Sequence, residues 1–570
     1  MTHLSADVLI VGAGGAGMYA AIAAATRGAS VLLLDKSLVG RGGATIMAQM
    51  TVAAAIGHEE PDHWTDHLQD TLAAGRELCD EGLARLLCEN GPARIFEMDG
   101  WGAHWARGTD DRIRQVKAPG HGRARCCYVD FLNTGPGVAG TLRRQVSTLD
   151  PVRRLSNVTV TEVVVHDGRA VGAVGMDVVT GEVVTLAAKA VILAAGGLTK
   201  IYRRNSASTN MGGEAYALAL WAGAELIDME FVQFFPIAHL APRLVGMDPI
   251  MWDPFRYKLG GRLLNGNFDE FMHRYGGQDS GTYSTVRDQA SYAILKEVEA
   301  GRGSPHGGVY LDFRHVPDET LREAFGPVID RLAHNGIDLT ETPVEVAPTA
   351  HYHMGGIRVN QRMETRVPGL YAAGEAVGGA NGANRLSGNA ITEALVFGEC
   401  AGREAAAAAA GTTGGGEAEA AADASERLRN APGADDGGGA PANVLQQRLQ
   451  SIMWEHAGPF RTGEQLRQAL DGIIEIRKSP VAVRPAGAFN LDLQDRLELR
   501  AMLTTAEAVV RAAIGRTESR GAHQRLDFPD SDPGLVRNQV IEMKDEEITA
   551  RWPEQVGSAE GVTRHRTARR

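Results

Sequence analysis

Three glycines near the start of the chain have a spacing that suits phosphate binding. Gly12, Gly14 and Gly17 form a G-x-G-x-x-G pattern, and Asp35 follows about 20 residues later. The first glycine allows a tight turn, the second lets a pyrophosphate approach the backbone, and the third lets a helix pack closely on a strand. An acid at the position of Asp35 can bind a ribose hydroxyl. The pattern predicts a dinucleotide site and does not distinguish FAD from NAD.

The elements around these glycines are those that such a site needs. The sequence predicts, in order, a strand, the glycine turn, an alanine-rich helix and a second strand, over Asp7–Val11, Gly12–Gly17, Met18–Arg27 and Val31–Leu34. Because the apolar runs are short and continuous, we expect buried parallel strands. The alternating run over residues 158–195 predicts an inserted sheet. The expected fold class is therefore α/β with a Rossmann-like domain.

The composition limits the classes of protein to consider. The chain has 570 residues, of which 44% are hydrophobic and 22% charged. This predicts a globular protein of about three or four structural units. A net charge of −12 gives no global attraction to nucleic acid or to an anionic membrane surface. An anionic ligand must therefore meet a local cluster of cations.

The cysteines and the apolar runs exclude several further classes. The five cysteines, among them the adjacent pair Cys126 and Cys127, show no CxxC pair and no metal-ligand spacing. No metal ion and no iron–sulfur cluster is therefore predicted in the chain itself, and we interpret the adjacent pair as half-buried packing residues. We recognise no secretory signal and no run of about 20 apolar residues. A cytoplasmic location without a transmembrane segment of its own is expected.

Shifts in composition divide the chain into six segments. They are predicted to be the first part of the dinucleotide-binding domain (1–235), a capping, substrate-binding α+β domain (236–348), the second part of the dinucleotide-binding domain (349–410), a flexible Gly/Ala-rich linker (411–443), a helical domain (444–530) and a C-terminal extension with a basic tail (531–570).

Several longer motifs indicate a family. They are, in order, GRGGATIMAQMTVAAAIG from Gly40, AAGGLTKIYRRNSAST from Ala194, STVRDQAS from Ser284, PTAHYHMGGI from Pro348, GLYAAGEAVGGANGANRLSGNAITEALVFG from Gly369 and RTESRGAHQRLDFPDSDP from Arg516. Together they resemble the flavoprotein subunits of the succinate dehydrogenase/fumarate reductase family, which includes L-aspartate oxidase. The resemblance covers nearly the whole chain and implies FAD as the cofactor.

The resemblance also implies which residues contact FAD. The segment Gly369–Gly398 is expected to close over the flavin, with Glu375 near the ring and Asn389 and Ala390 at the turn that meets it. The full implied set is Gly12, Gly14, Gly15, Gly17, Asp35, Lys36, Gly42, Gly43, Ala44, Thr45, Gln49, Ala195, Gly196, Gly197, Glu214, Gly374, Glu375, Asn389, Ala390 and Ile391.

The active site implied by the resemblance reduces an activated alkene by hydride from the flavin. Family members hold one carboxylate of the substrate with a histidine and an arginine, which match His351 and Arg385. They protonate the substrate carbon from a second arginine, which matches Arg287. Because an arginine is normally locked in its charged form, this role is inherited from the resemblance and not from arginine chemistry in general.

Each of these residues also has an ordinary structural interpretation. His351 could be a satisfied core histidine, which is what we expect of His353. Arg385 could cap a loop, and Arg287 could be a surface salt-bridge partner of Asp288 or Glu297. Because all three stand within family motifs, we favour the functional interpretation.

Two departures from the family pattern concern the flavin. The histidine to which many members bond FAD covalently aligns with Ala44, which offers no nucleophile. We therefore expect non-covalent FAD, with a lower potential that suits a reductase or an oxidase. The Gly-Gly that follows the family's glutamine aligns with Met50 and Thr51, beside Gln49, and these side chains would crowd the pocket next to the ring.

Two further departures concern the substrate. The family's second carboxylate-binding histidine aligns with Phe235. The segment that supplies the second carboxylate clamp and the proton relay aligns with residues 253–261, where Pro254 takes the place of the relay glutamate. These changes remove one end of the dicarboxylate site.

The substrate is therefore predicted to be a small carboxylate other than plain fumarate or succinate. We expect one carboxylate at His351 and Arg385, and a bulkier or less polar end near Phe235, Trp252 and Phe255. A replacement polar contact could come from His239, Arg243 or Arg256.

The resemblance leaves the route of the electrons open. Family members pass electrons to an iron–sulfur subunit or, in aspartate oxidase, to oxygen, and we expect an iron–sulfur partner. The alternatives are a soluble flavin oxidase resembling L-aspartate oxidase, a flavoprotein similar to that of adenylylsulfate reductase, and a non-catalytic flavoprotein. Such a partner would place the chain at the inner face of the membrane without a span of its own.

Overall fold

The structure is a computed structural model. It describes residues 2–48, 50–130, 132–206, 208, 210–244, 247, 249–252, 259–276, 287–412, 417–429, 439–483 and 487–553. Gln49, Pro254, Phe255 and Arg256, which the sequence places at the site, lie outside these residues, as does the side chain of Arg287.

Strands and helices alternate along the first half of the chain, and helices dominate the last third. The strands are β1 Thr2–Val11, β2 Val31–Leu34, β3 Val52–Ala53, β4 Gln115–Val116, β5 Cys126–Cys127, β6 Val152–Leu155, β7 Val158–His166, β8 Arg169–Asp177, β9 Val183–Leu193, β10 Leu226–Ile227, β11 Val232–Ala241, β12 Arg262–Leu264, β13 Val309–Asp312, β14 Val344–His353, β15 Gly356–Ile357, β16 Leu370–Ala372, β17 Ala440–Pro441, β18 Phe460–Arg461, β19 Val481–Ala482, β20 Gln524–Arg525, β21 Val540–Lys544 and β22 Glu547–Arg551.

The α-helices of the described residues are α1 Gly15–Ala25, α2 Ala44–Met47, α3 Trp64–Ala74, α4 Glu81–Gly100, α5 Thr134–Ser147, α6 Glu214–Trp221, α7 Arg287–Glu299, α8 Asp318–Phe325, α9 Val328–His334, α10 Asn389–Ala410, α11 Glu417–Arg429, α12 Ala442–His456, α13 Gly463–Lys478 and α14 Leu491–Gly515. None of them is long and apolar enough to cross a lipid bilayer.

The main sheet has the order β6-β2-β1-β9-β8-β7, with β16 beside β9. Strands β1 and β2 are parallel, with Val8 opposite Val31, as the glycine turn and its flanking strands predict. Strand β9 also pairs with β1 in parallel. The strands predicted over residues 158–195 are present, but they extend the main sheet and do not form a sheet of their own. Residues Val191–Leu193 of β9 pair with β1 on one edge and with β16 on the other. Strands β7, β8 and β9 are therefore part of the main sheet.

Helix α1 is buried over its whole length and packs against α10. Two glycines of α10 make this close approach possible, because a Cβ on Gly398 or Gly402 would collide with the backbone of Ala16 or Ala20. Both helices begin at the same cavity, since Gly15 of α1 and Ala390 of α10 line it. The N-termini of two long helices therefore direct their partial positive charge to one place.

A second sheet, of order β11-β14-β13-β12, carries a separate hydrophobic core. Strands β11 and β14 run from the first core into the second, so the chain crosses between the two cores within strands. Trp252 is fully buried in the second core, 6.1 Å from Phe313 and 6.0 Å from Phe325 by ring centroids. It is not among the residues that line the main cavity, which corrects its predicted place at the substrate.

The segment predicted as a flexible linker contains a helix. Helix α11 packs on β7, β8 and β9, where Ala424 joins Val164, Val171 and Val174 in a small core. Its alanine, glutamate and arginine residues are strong helix formers. The helix was not predicted because the glycine-rich runs on either side gave the whole segment the composition of a flexible linker. The remaining helices α12–α14 pack together, and β21 adds an edge to β10.

Candidate functional site

A cavity of about 920 Å³ lies at the end of β1 where the glycine turn begins. Most of the predicted site residues line it, from both the cofactor set and the substrate set. They are Gly12, Gly14, Gly15, Asp35, Lys36, Gly42, Gly43, Ala44, Thr45, Ala195, Gly196, Glu214, Glu375, Ala390, Ile391, His351 and Arg385. The structure thus brings together residues that are more than 350 positions apart in the sequence.

The glycine turn leaves room for a diphosphate. Gly12 has φ +104°, and a Cβ there would collide with the carbonyl of Ala194. A Cβ on Gly14 or on Gly43 would meet no heavy atom within 4 Å, although both residues line the cavity. Gly14 lies at the N-terminus of α1, where backbone N–H groups and the helix dipole favour a bound anion, and Gly43 directly precedes the short helix α2. The geometry fits a dinucleotide.

Asp35 is fixed at the wall of this cavity. Its Oδ2 accepts a hydrogen bond of 3.1 Å from the amide of Ala13, within the glycine turn. Its Oδ1 accepts bonds of 2.8 Å from the amide and the hydroxyl of Ser37. The carboxylate therefore lies at the end of β2 in a defined orientation, as its predicted contact with a ribose requires.

Four of the predicted cofactor residues that the structure describes are not among those that line the cavity. Gly17, Gly197 and Gly374 serve close packing, since a Cβ would collide with Gly12, Glu375 and Ala16 respectively. The side chain of Asn389 is buried and is held by His67 Nε2 at 2.8 Å and by Thr71 Oγ1 at 3.3 Å. The predicted contact of Asn389 with the flavin would therefore have to come from its backbone.

Glu375 is a predicted cofactor residue whose acidity is strongly altered. Its Oε1 accepts a hydrogen bond of 3.2 Å from the backbone amide of His353. Burial raises the pKa of Glu375 to about 8, against the lowering effects of that hydrogen bond and of the Arg385 charge. The side chain is therefore mostly neutral at pH 7.

His351 is oriented by a residue that the sequence did not single out. It lies on β14, half-buried, and its Nδ1 is 2.8 Å from the hydroxyl of Ser206. Its ring meets that of Phe235 edge to face, with 5.9 Å between the centroids. His353 is fully buried between the hydroxyl of Tyr216 and the carbonyl of Met229, as expected of a core histidine.

Arg385 is held from three sides and is 8% exposed. Its Nη2 donates to Gln233 Oε1 at 3.0 Å, and its Nη1 donates to the carbonyl of Leu386 at 2.9 Å. The guanidinium lies 4.3 Å from the ring centroid of Tyr352. The Gln233 amide also donates to the carbonyl of Arg385 at 3.1 Å, so one side chain fixes both ends of the arginine.

Arg287 begins helix α7. Of its two predicted alternative partners, Asp288 has its side chain outside the described residues. The other, Glu297, is bonded within the described residues to Arg302 at 2.8 Å and to Asn265 at 2.9 Å. Arg274 Nη1 also lies 3.6 Å from this carboxylate.

One wall of the cavity is apolar, and its residues belong to the hydrophobic core of the second sheet. It consists of Met50, Leu132, Phe235, Ile250 and Ala324. His239 and Arg243 line a second cavity of about 500 Å³ instead, which corrects the expectation that they supply a polar contact at the substrate. Among the described residues, the wall around Phe235 is thus mainly hydrocarbon.

The sequence also missed His121. It lies in the loop between β4 and β5, lines the cavity and is buried. Since a carbonyl can only accept, its Nε2–H donates to the carbonyl of Ser387 at 2.7 Å. This bond ties the loop over residues 116–121 to the segment that carries Arg385.

Cys126 and Cys127, which follow in β5, are fully buried, and both are free thiols.

Comparison with known proteins shows the family of this chain. A family model described as FAD binding domain matches residues 7–391, and one described as fumarate reductase flavoprotein C-term matches residues 446–553. The chain belongs to the succinate dehydrogenase/fumarate reductase flavoprotein family. It is an FAD-dependent oxidoreductase of the type that acts on CH–CH groups. The α/β fold with a Rossmann-like FAD-binding domain, a capping domain and a C-terminal helical domain is confirmed.

Individual relatives cover nearly the whole of this flavoprotein. One subunit of the fumarate reductase (CoM/CoB) of Methanothermobacter marburgensis is 35% identical over 541 residues, 94% of this chain and 97% of that protein. The Escherichia coli fumarate reductase flavoprotein subunit is 34% identical over 92% of this chain and 89% of its own. Sdh1 of Mycobacterium smegmatis superposes with a TM-score of 0.90 at 34% identity, over 97% of this chain and 95% of that one.

Proposed function

We propose that this flavoprotein transfers hydride between FAD and the CH–CH bond of an acid that is neither plain fumarate nor plain succinate. One carboxylate of the acid binds at His351 and Arg385, and its far end lies against the apolar wall around Phe235. The supporting observation is that these three residues line the same cavity as the glycines predicted to bind FAD. A second carboxylate placed against hydrocarbon would lose its hydration without compensation.

Each of these residues has a different role in the proposed reaction. Arg385 is an always-charged, pre-oriented group, so it binds a carboxylate without rearranging first. His351 is held by Ser206, which fixes the direction of its ring. FAD, when bound, supplies the hydride acceptor or donor. Arg287 remains the predicted proton donor on the grounds of the resemblance.

The proposal can be tested by titrating the purified flavoprotein with fumarate, succinate, aspartate and crotonate while the flavin absorbance is recorded. We expect crotonate to perturb the spectrum more strongly than the dicarboxylates. Arg385→Met should abolish the change, whereas Arg243→Met, which removes the same charge at the second cavity, should not. Binding of fumarate tighter than that of crotonate would contradict the altered specificity.

FAD is proposed to be bound non-covalently. The position of the family's linking histidine is Ala44, a cavity residue at the start of α2 whose methyl group offers no nucleophile. Acid precipitation of the protein should therefore leave a yellow supernatant. A yellow pellet with a colourless supernatant would show that another residue has taken over the covalent bond.

The electron partner is proposed to be an iron–sulfur subunit. The relatives are named as subunits of fumarate reductases, and the described residues contain no group of three or more potential metal ligands. Such a partner would place this chain at the cytoplasmic face of a membrane. Co-purification of a protein with iron and acid-labile sulfide would support the partner. Substrate-dependent release of hydrogen peroxide by the isolated chain would favour the oxidase alternative.

A further inference from the structure

The end of the cavity beside Asp35 carries a buried ion pair. Lys36 and Glu214 both line this end, and the Lys36 ammonium is bonded to Glu214 Oε1. The two side chains are 14% and 12% exposed. The other oxygen of Glu214 accepts a hydrogen bond of 3.1 Å from the amide of Gly212, so the pair is fixed at the wall.

The Lys36 ammonium has a second carboxylate partner outside the cavity. Glu498 lies on α14, in the C-terminal helical region, and its Oε1 accepts a bond of 3.0 Å from Lys36 Nζ. Its Oε2 accepts a bond of 2.6 Å from Lys200 Nζ. Glu498 is not among the residues that line the cavity. It therefore acts on the cavity wall through Lys36 and not by direct contact.

The four groups balance one another in charge. Two lysines and two glutamates give a neutral cluster, in which Glu498 is bonded to both lysines. Burial favours the neutral form of Lys36, but the charges of Glu214 and Glu498 outweigh this effect and hold its pKa above the ordinary value. Removal of the Glu498 charge would leave one buried positive charge without compensation.

We propose that Glu498 is a positioning residue of the FAD site, which holds Lys36 and Glu214 in place at the end of the cavity beside Asp35. Helix α14 thereby forms part of the cofactor site without touching the cofactor. Docking of the C-terminal helical region and binding of FAD then favour each other, because Lys36 links the two.

The same helix offers a matched control. Glu507 is buried on α14 and accepts a bond of 2.7 Å from Arg511 as well as a bond from Arg477. Neither of these arginines lines the cavity, and Glu507 itself does not line it. Glu507→Gln therefore removes the same charge, held by two cations, from the same helix.

The test compares Glu498→Gln, Glu507→Gln and the wild type as apoproteins reconstituted with FAD. Dissociation constants for FAD come from the quenching of flavin fluorescence, and Tm is measured with and without saturating FAD. We expect Glu498→Gln to weaken FAD binding about tenfold, which is about 1.4 kcal/mol, and to reduce the rise in Tm that FAD produces. Glu507→Gln should lower Tm equally with and without FAD and leave FAD affinity within about twofold of wild type.

Wild-type FAD affinity in folded Glu498→Gln would overturn the proposal, as would equal loss of affinity in both variants. If Glu498→Gln does not fold, Glu498→Asp keeps the charge but is too short to reach both lysines. Severalfold weaker FAD binding in that variant supports the proposal, and unchanged binding overturns it. The test rests on non-covalent FAD. A covalent flavin would be detected beforehand by the acid precipitation described above. In that case each variant would be expressed with and without a supply of flavin, and the rise in Tm that flavin produces would be compared in place of the dissociation constant.

Discussion

Gln233→Leu tests the way in which the cavity presents its arginine. Gln233 Oε1 accepts a 3.0 Å bond from the charged Arg385 guanidinium, and its amide donates to the carbonyl of Arg385 at 3.1 Å and to Asn384 Oδ1 at 2.9 Å. Leucine has a similar volume and makes none of these bonds. The guanidinium would keep its charge but lose the bond that sets its direction.

The expected magnitude follows from these contacts. A hydrogen bond to a charged group is worth about 1.5–3 kcal/mol and a neutral one about 0.5–1.5 kcal/mol. We expect the free energy of unfolding to fall by about 2–4 kcal/mol, because the loss of the charged bond dominates. Carboxylate affinity should fall about tenfold, while FAD content stays unchanged.

The assay is the titration of the flavin spectrum with crotonate, together with chemical unfolding. Gln446→Leu is the control, because Gln446 is also buried and donates a 2.7 Å bond to a backbone carbonyl, that of Asp495, in the C-terminal helical region. It should lower stability and leave crotonate affinity alone. Wild-type crotonate affinity in a folded Gln233→Leu protein would refute the argument that Gln233 orients Arg385.

Three further predictions concern single residues. Gly14→Val should fold, because a Cβ there meets no atom within 4 Å, and should reduce FAD content at least tenfold by filling the place of the diphosphate, as measured by flavin absorbance per protein. Phe235→His should strengthen fumarate binding by restoring a second cationic contact, and unchanged affinity in the flavin titration would contradict this. Burial raises the pKa of Glu375 to about 8, so the folded apoprotein holds a proton that the unfolded chain releases above its ordinary pKa of 4.5. This proton should make the stability of the apoprotein fall as pH rises from about 5 to 8, and Glu375→Gln should make the fall shallower in unfolding experiments at both ends of the range.

Local sequence patterns were sufficient for the cofactor turn. The spacing of Gly12, Gly14 and Asp35 predicted a strand, turn and strand that the structure contains, because each contact there is made between neighbouring segments. The strand Val31–Leu34 was predicted to the residue. Such features depend on backbone geometry, which glycine positions and apolar runs reflect directly.

The residues that hold the substrate-binding side chains in place could not be predicted from local sequence patterns. Ser206 and Gln233 hold His351 and Arg385 from segments 145 and 152 residues away, and a serine or a glutamine has no sequence signal for such a role. His121 likewise acts through a carbonyl that only the folded chain brings near. Trp252 was misplaced for the opposite reason, since a large aromatic residue fits a hydrophobic core as well as a substrate pocket.

The proposed acid specificity can be measured most directly by turnover. Reduced viologen dye would donate electrons to the FAD-loaded protein, and its oxidation would be followed with fumarate and with crotonate as acceptors. The proposed cavity, with one carboxylate clamp and an apolar far wall, predicts faster dye oxidation with crotonate, lost in Arg385→Met. Fumarate turnover well above that of crotonate would contradict it.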